Sequence, residues 1–331
     1  MIIVRTPFRL PLGGGGTDLP TYYSKHECSL ITATINKYMY ININVPAVVN
    51  KIKISYSKTE IVDPDRINDI KHEIVRESLI YLKINNPIEI SSMADLSAGT
   101  GMGSSSSYTV GLLNGLNTLL KRHISVKELA EEACKVEIDL IGKPIGKQDQ
   151  YAAAYGGIIQ LEINKKGETQ VTPLNLDHEI IYELENRLMM FYTNIKRDAN
   201  EILSEQSSKA KKDEKSVIKS MHKIKEIGYR SKDALINGNI DKFGELLDEH
   251  WNIKKKISAK MSNPDINRWY KIGKENGAIG GKIMGAGGGG FMLYCVENGN
   301  RKKLRAAIEK EGLKYMDFRF DFDGSKVLFN I

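Results

Sequence analysis

Three runs of glycine interrupt the chain, and each requires bare backbone to turn sharply or to approach something closely. They are Gly13-Gly14-Gly15-Gly16, then Gly99-Thr100-Gly101-Met102-Gly103 followed by Ser104-Ser105-Ser106-Ser107, and finally Gly285-Ala286-Gly287-Gly288-Gly289-Gly290. The middle run constrains most. A strand is expected just before it, at Pro87 to Ser91, and a helix just after it, where Leu112, Leu113, Leu116, Leu119 and Leu120 recur at helical spacing. Strand, glycine loop and helix start in that order aim unpaired N–H groups and the positive end of the helix dipole at one spot, a ready anion site. A purely structural glycine turn has the same local pattern. The serines add hydroxyls suited to magnesium, which prefers oxygen ligands.

Two nucleotide signatures are excluded. No G-x-x-x-x-G-K-[ST] run exists, so there is no Walker A loop of the usual form. Residues 285–290 match G-x-G-x-x-G, but Phe291 to Val296 reads as a strand, whereas a dinucleotide fingerprint opens a helix. That run is therefore expected to be a tight turn between Lys282-Ile283-Met284 and the following strand, with or without a ligand at its tip.

The remaining pattern describes an α+β protein of two domains, 1–184 and 185–331. Ile41 to Val45 and Ile52 to Tyr56 alternate as strands, Ile158 to Ile163 is a third, and Pro64 to Lys83 and Val126 to Ile141 are expected helices, the latter opened by the capping box Ser125 to Glu128. Leu188 to Tyr192 begins the second unit, lysine-rich helices fill 199–258, Lys302 to Glu311 is helical, and Phe318 to Phe322 is expected as a last strand.

No apolar run approaches the roughly 20 residues of a membrane helix, and nothing resembles a signal peptide, so a cytoplasmic location without membrane contact is expected. The three cysteines lie far apart, which argues against a disulfide framework or a zinc site. The net charge of +7 comes from lysines interspersed with acids along helices, the composition of solvated faces, so no nucleic-acid partner is expected. A mildly basic cleft would also suit a phosphorylated small molecule.

Three polar groups stand out. Glu137 falls on the apolar stripe of its helix and needs a cation or a donor, either magnesium or a nearby lysine, unless that edge is exposed. Asp149 sits at an expected helix start, where it is either an N-cap or a proton acceptor kept ionised by Lys147. Thr17 and Asp18 after the first glycine run offer oxygens to a polyol or close an Asx-type turn.

Pro7 to Asp18, Ala98 to Ser107 and Lys282 to Gly290, in this order and across nearly the whole chain, resemble the three motifs of the GHMP kinases. Arg5 to Pro20 and Gly146 to Gly157 are most similar to the D-glycero-D-manno-heptose 7-phosphate kinases within that superfamily. The resemblance implies a ribosomal-protein-S5-like N-terminal domain and a ferredoxin-like C-terminal domain. It makes Asp149 the general base and Arg9 the cation that steadies the transferred phosphoryl group. ATP would lie against Gly99, Gly101, Gly103, Ser104, Ser105 and Ser106, with Gly287, Gly288 and Gly289 closing over it. Mg2+ would be held by Ser104 or Ser105 with Glu137. The sugar would meet Gly15, Gly16, Thr17, Asp18, Lys147 and Gln148, and its own phosphate would want Lys196, Arg197 or Lys147. The implied reaction makes heptose 1,7-bisphosphate on the way to GDP-heptose for cell-surface polysaccharide. Other readings are a kinase for a fucose-like sugar or mevalonate-like alcohol, and a non-catalytic ATP- and sugar-binding sensor. Oligomeric state is left open.

Overall fold

The long strand Cys28–Asn44, buried continuously from Cys28 to Ile35 and on alternate residues from Met39 to Ile43, holds the first sheet together because its 17 residues are enough to pair with different neighbours at its two ends. One edge pairs along most of its length with Ile2–Gly13. On the other, its first half pairs with Ile158–Ile163 and its second half with Ile88–Ala94. Ile52–Ser55 lies parallel to Ile88–Ala94 and carries Thr59–Val62, while Thr169–Pro173 extends the sheet beyond Ile158–Ile163. A second, four-stranded antiparallel sheet orders Lys314–Met316, Leu188–Tyr192, Phe291–Val296 and Ala278–Ile283. The coordinates are a computed structural model describing residues 1–195, 199–212 and 214–331, with 199–201 described by backbone alone.

The helix Ser104–Leu119 is seated on the first sheet by its own small residues. Ser107 Oγ donates to the Pro7 carbonyl at 2.9 Å, and a Cβ on Gly111 would stand 2.7 Å from Thr6 Oγ1. A Cβ on Gly115 would reach 2.6 Å from Ile43 and 3.1 Å from Val4. Positions 107, 111 and 115 share one helix face, so the helix descends along Ile2–Gly13 at close range and its first turn arrives beside Arg9. Any larger side chain on that face would lift the helix and its N-terminus away.

Three expectations are corrected. The segment from Pro64 to Lys83 is a 3-10 turn, Pro64–Asp69, followed by the helix Glu73–Tyr81. Val126 to Ile141 is α-helical only to Cys134 and then widens into a π turn, Lys135–Leu140, which rotates Glu137 fully into the interior. Phe318 to Phe322 makes only an isolated bridge, Ile35 with Phe320; the last strand is Lys326–Asn330, which returns to pair with Ile2–Gly13. The chain end therefore belongs with the first sheet, where a cut at 184/185 assigns it to the second unit. Among the described residues no helix is long and apolar enough to cross a membrane.

Candidate active site

Arg9 and Asp149, 140 positions apart, form a two-pronged ion pair: Nε donates to Oδ1 at 2.5 Å and Nη2 to Oδ2 at 2.8 Å. The third guanidinium nitrogen, Nη1, donates to the Gly101 carbonyl at 2.5 Å, and the Arg9 amide donates to the Met102 carbonyl at 3.1 Å. Strand, glycine loop and the helix Gln148–Tyr155 are thus tied at one point. Lys147, not Asp149, is the N-cap of that helix, and Asp149 stands in its first turn with its carboxylate on Arg9. Gly103, at φ +76°, is what lets the three approach, since a Cβ there would sit 3.0 Å from both Asp149 Oδ2 and Arg9 Cγ. Such a bidentate pair fixes the carboxylate's orientation while leaving its outer lone pairs, and two guanidinium donors, for a ligand.

Two clefts meet at this pair. One, of about 790 Å³, is walled by Gly99, Gly101, Gly103, Ser104, Ser105 and Ser106 together with Tyr56, His72 and Tyr108. The His72 ring stacks on Tyr108 at 4.8 Å. Gly103 supplies no side-chain cap to the helix Ser104–Leu119, whose first turn, Ser104, Ser105 and Ser106, lines this cleft. The other pocket, of about 80 Å³, is lined by Gly15, Gly16, Asp18, Gln148, His250, Lys254 and Lys282 among others. Arg9, Asp149, Gly285 and Ala286 border both.

Glu137 is fully buried and has three partners: Ser105 Oγ donates to it, Gln150 Nε2 donates at 2.8 Å and Lys143 Nζ at 2.9 Å. Lys143 Nζ also reaches Ser105 Oγ at 2.6 Å. Ser105, rather than Ser104, is thus the hydroxyl that meets Glu137, and the lysine alternative is realised. The pair of oxygens already holds a cation, the Lys143 ammonium, at the lip of the larger cleft. Glu137 and Ser105 offer oxygens of the type a hard divalent ion prefers, but among the described residues no group of three or more histidine, cysteine or acidic side chains gathers to hold a metal ion.

Asp18 accepts the backbone amides of Gln148 at 3.0 Å and Gly16 at 3.2 Å. Burial raises its pKa, partly offset by those amides and reinforced by the charge of Asp149. Gly146 is required beside it, because a Cβ would fall 2.0 Å from Asp18 Oδ2. Gln148 also donates from Nε2 to Thr32 Oγ1 at 3.2 Å.

Other sequence expectations fail here for identifiable reasons. Lys147 turns away from Asp149 and pairs with Glu131 at 3.1 Å and the Gly167 carbonyl at 2.8 Å; Arg9 takes its place beside Asp149. Thr17 is completely buried, its hydroxyl bonded to the Gly14 carbonyl at 2.8 Å and to Cys28 Sγ, so it offers nothing to a sugar. Gly287, Gly288 and Gly289 line neither cleft: Gly287 lies against Met261, the Gly288 amide donates to the Met261 carbonyl and Gly289 is pressed on Ile195. Gly285 and Ala286 form the cleft-lining part of that turn instead. Lys196 and Arg197 lie outside the described residues. Lys143, Lys254, Lys282, His250 and the Tyr56–His72–Tyr108 ring cluster were not singled out from sequence as site groups. The only signal for Lys282 was an ammonium placed inside an otherwise apolar strand.

The family model of the GHMP kinases N terminal domain matches residues 70–157, and that of the GHMP kinases C terminal domain matches residues 231–313. The chain is 33% identical, over 98% of both chains, to a D-glycero-alpha-D-manno-heptose 7-phosphate kinase of Campylobacter jejuni. It is 26% identical to a mevalonate kinase of Methanocaldococcus jannaschii, over 96% of this chain and 99% of that one. Among solved structures it is similar to a D-glycero-D-manno-heptose 1-phosphate kinase from Bacteroides thetaiotaomicron, with a TM-score of 0.83, 26% identity and full coverage of both chains. A putative sugar kinase from Campylobacter jejuni gives a TM-score of 0.78 at 30% identity, over 98% of this chain and 97% of that one.

Proposed function

Because the chain belongs to the GHMP kinases, with their two-domain fold and their ATP-dependent phosphorylation of small molecules, we propose that its acceptor is D-glycero-D-manno-heptose 7-phosphate and its product the 1,7-bisphosphate. The observation that carries this reading is the Arg9–Asp149 pair at the junction of a large amide-lined cleft and a small charged pocket. The heptose 7-phosphate kinase of Campylobacter jejuni, similar from end to end, supports the choice of sugar. The reaction would take place in the cytoplasm and feed GDP-heptose formation for cell-surface polysaccharide. Residues 1–184 serve as the nucleotide- and substrate-binding unit and 185–331 as the C-terminal unit, amended by the return of Lys326–Asn330 to the first sheet.

In this mechanism Asp149 accepts the proton of the anomeric hydroxyl. The freed oxygen forms a bond to the γ-phosphorus of ATP as the bond from that phosphorus to the β-bridging oxygen breaks, releasing ADP. Arg9 keeps Asp149 in place through two nitrogens and turns its remaining donors toward the charge that develops. The amides of Ser104, Ser105 and Ser106, with Gly99, Gly101 and Gly103 making room, hold the phosphates. Asp18, Gln148, Gly15 and Gly16 orient the sugar. Ser105 and Glu137 would hold Mg2+, which when bound neutralises phosphate charge. The test is an ADP-release assay over a panel of acceptors containing heptose 7-phosphate, fucose and mevalonate. Turnover is expected with the heptose phosphate and at least tenfold less with the others; a clear preference for another acceptor replaces the proposed sugar, and ligand binding with no ADP release supports a sensor.

A further inference from the structure

Two buried side chains of the smaller pocket, Lys282 and His250, lack an acidic partner among the described residues. Lys282 is only 3% exposed, its ammonium donates to the Leu12 carbonyl at 3.2 Å, and no described carboxylate pairs with it. The acids lining the same pocket are committed elsewhere, Asp149 to Arg9 and Asp18 to two backbone amides. His250 is 2% exposed, and neither of its ring nitrogens has a hydrogen-bond partner. One helical turn further on, Lys254 donates to the Gly285 carbonyl at 2.6 Å. Burial, with the nearby ammonium groups, holds both Lys282 and His250 well below their ordinary pKa values. Buried cations and orphaned ring nitrogens are costly unless a ligand satisfies them.

We propose that Lys282, His250 and Lys254 form a subsite for the acceptor's own phosphate monoester. A dianion there would give Lys282 the counter-charge that no described carboxylate supplies and accept N–H groups from three side chains carried on the helix Ile240–Lys254 and the strand Ala278–Ile283. The subsite rests on the phosphosugar reading above and explains how that acceptor is told from the free sugar. A site built around buried donors discriminates strongly against a ligand lacking the matching group, because the donors are then left unpaired. The same chemistry could instead serve the phosphoryl group in transit beside Arg9, and the test separates the two.

The ratio of kcat/KM for heptose 7-phosphate to that for unphosphorylated heptose is measured at saturating ATP for the wild type, K282M, K282R and H250Q. In K282M the ratio is expected to fall by about thirtyfold, in K282R by a few-fold at most, and in H250Q by about fivefold. An unchanged ratio in K282M and H250Q overturns the proposal whatever the absolute loss, since both acceptors receive the same phosphoryl group. H250Q alone decides if K282M does not fold. If the wild type turns over neither heptose, the acceptor reading fails on its own. The subsite is then judged by calorimetry with inorganic phosphate on protein saturated with a non-hydrolysable ATP analogue: tenfold weaker binding in K282M and H250Q upholds it, and equal binding, or none to the wild type, overturns it.

Discussion

The two clefts that meet at Asp149 are built from opposite materials. The larger is lined by backbone amides, hydroxyls and rings, and its wall at residues 99–106 follows from helix Ser104–Leu119 sitting close on the sheet. The smaller sets charged side chains among glycines and apolar residues, and Lys254, Lys282 and the buried His250 come to it from the second half of the chain. A backbone cradle grips phosphates of any nucleotide, because its donors belong to every residue type. A pocket of buried charges is costly to maintain and responds only to a ligand that matches it, which is why we propose that selectivity for the acceptor lies there.

Substitutions can test this division, beginning with the group both clefts share. D149N should lower turnover by about a hundredfold or more while nucleotide affinity stays within a few-fold, read by steady-state kinetics and by titration with an ATP analogue. Near-normal turnover would reassign the base. G146A acts on the acceptor side alone: the new Cβ must displace Asp18, and a loss of about 2 kcal/mol in stability is expected with a raised acceptor KM and little change in KM for ATP. A matching rise in KM for ATP would break the division.

E137Q probes the donor side. Weakening the carboxylate beside Ser105 should raise the magnesium concentration for half-maximal activity by about tenfold, and an unchanged metal dependence would remove Glu137 from that role. The smallest effect concerns pH. His250 has a folded-state pKa below its ordinary 6.5, so under acid conditions the unfolded chain binds a proton that the folded one does not. Stability from this group is present above about pH 6.5 and is lost as the pH falls below it, at up to roughly 1.4 kcal/mol per pH unit. H250Q should flatten the acid limb of a Tm-against-pH curve measured down to pH 5; an identical limb would show that His250 is not the group responsible.

Residues whose role is set by nearby chain were legible in the sequence. The loop 99–103 with its serine-led helix, and the hairpin around 285–290, follow from local backbone demands, and the hairpin strands do pair, Ile283 with Met292. Glu137 on an apolar stripe announced a buried partner, although the π turn that buries it did not show in the periodicity. Partners across long separations were not legible. Lys147 is the cation the sequence places beside Asp149, whereas the docking of Ser104–Leu119 against Ile2–Gly13 brings Arg9 there and Lys147 pairs with Glu131. A glycine run signals closeness but not to what: Gly99, Gly101 and Gly103 open to the cleft, whereas Gly287 and Gly289 make room for Met261 and Ile195.

The amino-acid order alone determined where backbone must be bare, which helix starts carry free amides, and which carboxylates require a partner, because those are demands of local geometry and desolvation. Tertiary structure decided which cation meets Asp149, which hydroxyl meets Glu137, and that Lys282 and His250 share a pocket with residues from the first strand. Such pairings depend on how helices and sheets pack across hundreds of residues, and side-chain type sets only whether a pairing is needed, not who supplies it.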